Sequence, residues 1–133
     1  MARGWQANQE RLEALKRLGK ELARRARSKC ELCEKGGLSL SIFEVSPVPK
    51  EPEVDRCLML CEACRSASEN PEKIVAGENW RFLTESAWSE LPAVQVVSVR
   101  LLKHLAGSQA WAKGALEELF LDDEIEEWVT EGG

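Results

Sequence analysis

The chain has 133 residues, 44% of them apolar and 31% charged, with a net charge of −5; this suits one folded domain with room for an appended helical arm, not a disordered segment. It contains no run of about 18 apolar residues and no secretory leader pattern, so no membrane partner is expected and the expected location is the cytoplasm. In that reducing compartment the five cysteines read as metal ligands or redox groups and not as disulfides.

The net charge conceals an asymmetry. Residues 1–35 hold ten Lys or Arg against five Asp or Glu, and residues 36–133 hold eight against eighteen. A basic start and an acidic body can attract different partners or each other.

Residues 1–28 read as a basic amphipathic helix. Leu12, Leu15, Leu18, Leu22 and Ala26 recur on one side at helical spacing, while Arg17, Lys20, Arg24 and Arg27 fall almost opposite. Such a helix is longer than a small metal core needs, so part of it is expected to project. The four cations are candidate nucleic-acid contacts, with a solvated face or docking on the acidic body as the plainer readings.

Residues 29–70 carry the strongest motif. Cys30-Glu31-Leu32-Cys33 and Cys61-Glu62-Ala63-Cys64 are two CxxC pairs separated by 27 residues. Four thiolates at that spacing suit one structural Zn²⁺, with the glycines Gly36 and Gly37 expected to take positive φ after the first pair. Between the pairs, Leu38 to Val45 predicts a strand, the prolines of residues 46–55 a loop, and Arg56 to Leu60 a second strand. Residues 61–69 favour a helix ending before Asn70-Pro71. The order knuckle, hairpin, ligand-bearing helix predicts a treble clef, whose helix-start and knuckle amides offset thiolate charge. Cys57, in the apolar second strand, reads as a small buried hydrophobe.

Residues 71–133 predict a helical region packed on the zinc module. Pro92 opens a helix to about Leu105, with Val94, Val97, Leu101 and Leu105 inward. A second helix spans Ala110 to Leu121, with Trp111, Ala115 and Leu119 inward. The acids Asp122, Asp123 and Glu124 start a last helix bearing Ile125, Trp128 and Val129. Trp80, Trp88, Trp111 and Trp128 are expected in the core, and Trp5 against another subunit. The fold class is therefore α+β, mainly helical.

Several segments resemble the PhnA family, small bacterial proteins named after the alkylphosphonate-utilisation operon. They are Cys30 to Cys33, Ser41 to Pro47, Leu58 to Cys64, Glu69 to Lys73 and Asn79 to Val97, with the stretch from Trp88 to Val96 the most specific. The similarity covers about residues 27–129. It implies a zinc-binding protein acting as an interaction module, with a protein partner or self-association. The small β-rich domain usual at the C-terminus of PhnA proteins is not seen in the sequence up to Gly133.

A more distant similarity is to HNH endonucleases, which share the treble-clef outline and Cys-Glu-x-Cys. Those enzymes take a base from the hairpin. Here the hairpin offers Phe43-Glu44-Val45, and the one histidine, His104, falls on a distant helix. A degenerate nuclease using Glu44 is thus the enzyme alternative to a reading without catalysis.

Overall fold

The computed structural model describes residues 2–132, with side chains described for residues 7–131. Within that span the chain is α+β and mostly helical, with one two-stranded sheet and no helix long and apolar enough to cross a membrane. The side chain of Trp5 lies outside the described residues.

Helix α1 runs Ala2–Ala26. Its apolar face is covered progressively towards its C-terminal end: Leu22 is buried, Leu15 and Leu18 are half-buried, and Leu12 remains 45% exposed. From Ala7 onwards the helix lies along the loop of Lys50, Glu51 and Pro52. The helix stops two residues before the expected Ser28, because Arg27 and Ser28 take left-handed φ values of 53° and 63°. Those residues turn the chain so that Cys30 enters the core.

Strands β1 (Leu40–Glu44) and β2 (Cys57–Cys61) pair antiparallel, with Leu40 opposite Cys61 and Glu44 opposite Cys57. Ile42 approaches α1 at Gly19, where its Cδ1 lies 3.9 Å from the position a Cβ would occupy. Helix α2 (Glu62–Glu69) starts directly after β2, with Cys61 in extended conformation at its N-cap.

A four-residue helix α3 (Leu83–Ser86) leads into α4 (Pro92–Leu105), followed by α5 (Ala110–Glu118) and α6 (Asp123–Gly132). Helix α4 is the centre of the body: it packs against α3, α5, α6 and the C-terminal side of the hairpin. Burial extends well beyond the predicted stripe of Val94, Val97, Leu101 and Leu105 to include Val96, Ser98, Val99, Arg100 and Leu102. One buried cluster runs from Cys30 and Cys64 through α4 to Ile125 and Val129.

Two packing expectations change. Trp80 is buried, and Trp111 and Trp128 are half-buried, but Trp88 is 53% exposed. The tight turn after α3, closed by the Trp88 amide on the Glu85 carbonyl, gives the buried position to Ala87 instead. Helix α5 ends at Glu118, not Leu121, because Leu119 is extended (φ −73°, ψ 138°), and Phe120 then stands 89% exposed.

Candidate metal centre

The knuckle forms because the chain folds back on itself within six residues. The Cys30 amide donates to the Lys35 carbonyl at 3.1 Å, the Glu34 amide donates to the Cys30 carbonyl at 2.8 Å, and Lys29 bridges Gly36. Glu34 and Gly37 take left-handed φ values of 63° and 75°. Of the two glycines expected there only Gly37 does so, since Gly36 is held in the bridge.

The knuckle is fastened to the hairpin by Glu31, whose side chain is 3% exposed. Its Oε1 accepts the Met59 amide at 2.8 Å, and its own amide donates to the Met59 carbonyl at 2.9 Å. Both carboxylate oxygens also accept from Arg25, at 2.7 and 2.9 Å. Arg25 in turn donates to the carbonyls of Val54 and Cys57. One partly buried ion pair thus locks α1, the knuckle and β2 together. Neither residue stood out in sequence, because a Glu between two cysteines and an Arg in a basic run look like surface groups until the fold brings them together.

The sulfurs of Cys30, Cys33, Cys61 and Cys64 lie within 4.8 Å of one another. The Cys33 and Cys61 sulfurs are 3.9 Å apart. Metal–sulfur bonds of about 2.3 Å in a tetrahedron set ligand sulfurs roughly 3.8 Å apart, so the cluster fits one tetrahedral metal ion. Three of the four residues are buried and Cys33 is partly so. All five cysteines are free, and Cys57, on β2, lies outside the cluster.

Ionisation within the cluster is uneven. A hydrogen bond from Cys64 lowers the Cys30 thiol to about 4, against the opposing effect of burial, and the amides of Cys33, Cys61 and Leu32 add to it. The same hydrogen bond, followed by burial and the neighbouring sulfurs, pushes Cys64 strongly upwards. Burial raises Cys33, although the Lys35 amide opposes it. One thiolate is therefore readily formed, and Cys33 and Cys64 resist following it. A bound dication supplies the opposing charge that four thiolates need at this distance.

The remaining sequence-predicted groups lie elsewhere. Arg17, Lys20, Arg24 and Arg27 are all exposed, and none is within ion-pair distance of an acid among the described residues. Docking of this stripe on the chain's own acidic body is therefore not observed. Glu44 is paired through both carboxylate oxygens with Arg11, whose Nε lies at 2.9 Å and which also donates to the carbonyls of Pro49 and Lys50. His104 is exposed on the last turn of α4, away from the cysteine cluster.

Family models, curated proteins and solved structures give no match to this chain. Its functional reading rests on its own residues.

Proposed function

We propose that this chain is a cytoplasmic, PhnA-like structural-zinc protein that acts as an interaction module built on a treble clef, without catalysis of its own. The observation that carries the reading is the convergence of the four sulfurs of Cys30, Cys33, Cys61 and Cys64 to within 4.8 Å. Four thiolates complete a tetrahedral shell, so zinc held there has no position for a water to activate and serves to hold the fold. The order of knuckle, hairpin and ligand-bearing α2 supports the treble clef.

Metal analysis of protein purified under reducing conditions tests the reading. One zinc per chain is expected, with half or less after Cys61→Ser. A metal-free, folded protein, or iron in the site, would sink it. Structural zinc is worth about 10–16 kcal/mol in small finger peptides, as much as the whole stability of a typical domain. Chelation is therefore expected to abolish the order of residues 29–70, read as loss of their amide protection from hydrogen exchange.

The exposure of Arg17, Lys20, Arg24 and Arg27 favours one second reading, in which this face of α1 contacts nucleic acid. Binding would weaken steeply with salt, and gel shifts at low salt with duplex and single-stranded DNA test it. The nuclease alternative has no such support, since the pairing of Glu44 with Arg11 favours an anchoring role over that of a base.

A further inference from the structure

One face of α1 is left uncovered by the rest of the described chain. Leu12, Lys16, Lys20 and Ala23 recur on it at helical spacing, and all four are exposed. Neither lysine makes an ion pair among the described residues. Leu12, 45% exposed, is the apolar anchor of this face. At about 100° per residue, the exposed acids Glu10 and Glu21 turn more than a quarter-circle away from its centre at Lys16, and Glu13 borders it. The flank of α1 that lies along the loop of Lys50, Glu51 and Pro52 is formed by other residues, including Arg11, Ala14 and Arg17.

Helices α4, α5 and α6 leave a groove of about 350 Å³ between them. Leu116, Leu119, Leu121 and Val129 give it an apolar lining, and Glu126 and Lys103 are its charged members. Residues 114–131 hold eight Asp or Glu and no Lys or Arg. All eight acids are exposed, and none is in an ion pair among the described residues. Asp123, Glu126 and Thr130 share one side of α6 at i, i+3 and i+7. Glu126 and Thr130 line the groove, so Asp123 stands on the groove side of that helix.

We propose that the α5–α6 groove receives the Leu12 face of α1 from a second copy of this chain, with Leu12 entering the groove and Lys16 and Lys20 meeting Glu126 and Asp123. This is recognition of a helix by an apolar groove with charges at its edge. The two surfaces are opposite in charge, both are uncovered, and they are not joined within one chain: no residue of α1 lines the groove, and no α1 cation pairs with residues 117–131. A second copy is therefore the partner whose complementarity the chain itself supplies. The proposal names the partner of the interaction-module reading and rests on it. Because the two surfaces differ, the contact is heterologous, and it closes into a pair where it is made reciprocally.

The test is sedimentation of the metal-loaded full chain, with metal content measured in the same samples. Self-association at about 10–100 µM is expected at low salt and should fade as salt screens the charges. Leu12→Asp should raise the dissociation constant about tenfold or more, as should Lys16→Glu with Lys20→Glu, or Asp123→Lys with Glu126→Lys. Mixing the two charge-reversed variants should restore association, which a merely structural role for these exposed residues would not do. A chain that stays monomeric, or one whose association ignores Leu12→Asp and both charge reversals, overturns the inference; with metal content unchanged, the zinc reading stands. If the chain is monomeric and Lys16→Glu with Lys20→Glu instead abolishes gel shifts with DNA, the face serves nucleic acid and the inference falls. A folded, metal-free protein overturns the zinc reading whatever its association state.

Discussion

Single residues in and around the cysteine cluster behave according to backbone and burial. Cys57 is fully buried on β2, and burial pushes its thiol from the ordinary 9.0 up to about 11, with Glu44 adding to the effect and Arg25 and Arg11 opposing it. Between those values the folded chain keeps a proton that the unfolded chain has lost, so stability contributed by the neutral thiol falls as pH rises through that window. Cys57→Ala is expected to flatten this alkaline fall in denaturant titrations at pH 8 and 10, costing about 1 kcal/mol at neutral pH and leaving metal stoichiometry unchanged. The knuckle gives a paired prediction of opposite sign. Gly37 has φ 75°, and no atom lies within 4 Å of the position a Cβ would occupy, so Gly37→Ala meets backbone strain alone and should cost about 1 kcal/mol. Glu34 sits at φ 63° without a glycine's freedom, and Glu34→Gly should leave stability equal or raise it by up to about 1 kcal/mol in the same assay. The cysteine spacing named the four residues that converge, but it could not say that a glutamate would take the left-handed position, because side-chain identity only biases φ and the closure of the knuckle decides it.

At the scale of elements, α1 is held at two points. Its C-terminal end is locked by Arg25 and Glu31, and its middle by Arg11, which joins Glu44 of β1 to the loop carbonyls of Pro49 and Lys50. Hydrogen bonding to Glu44 keeps the Arg11 guanidinium firmly charged. Arg11→Ala leaves Glu44, whose side chain is 16% exposed, without its counter-charge and should cost about 1–3 kcal/mol. Amide exchange in α1 should accelerate on the N-terminal side of residue 15 while the metal content of the protein is unchanged; unchanged exchange there would show that α1 does not depend on the clamp. Helical periodicity made α1, α4 and α6 legible, and Pro92 marked the start of α4 to the residue. The short α3 and the exposed Trp88 were not legible, since a four-residue helix has no period to read and an aromatic in an apolar context looks like core.

The whole molecule is tied together by α4. Arg100 is buried on it, and donates to the Ser46 carbonyl at 2.7 Å, the Trp128 carbonyl at 2.6 Å and the Val129 carbonyl at 3.2 Å. Trp128 adds a bond from its indole nitrogen to the Ser46 carbonyl at 3.0 Å and lies 4.5 Å under the Arg56 guanidinium. The loop after β1, the end of β2's approach and α6 thus share one polar knot against the central helix. Burial lowers the Arg100 pKa from 12.5, yet a guanidinium stays charged at neutral pH. Arg100→Met fills similar space while removing the donor to the Trp128 and Val129 carbonyls and leaving Ser46 to the Trp128 indole alone, and should cost about 1–3 kcal/mol in a denaturant titration. A loss below about 0.5 kcal/mol would show that water replaces the guanidinium.

By itself the sequence determined the four cysteines that converge, the hairpin between them, the helix that follows and the main helices of the body, because ligand spacing, alternation and 3.6-residue periodicity are local properties of a chain. Tertiary structure alone decided which charged residues became internal ties and which stayed free. Nothing local separates Arg11, Arg25 and Arg100 from the exposed Arg17, Lys20, Arg24 and Arg27, or marks Glu31 as their counterpart. A charge finds its partner only when segments far apart in the chain are brought within hydrogen-bonding distance, and that depends on packing.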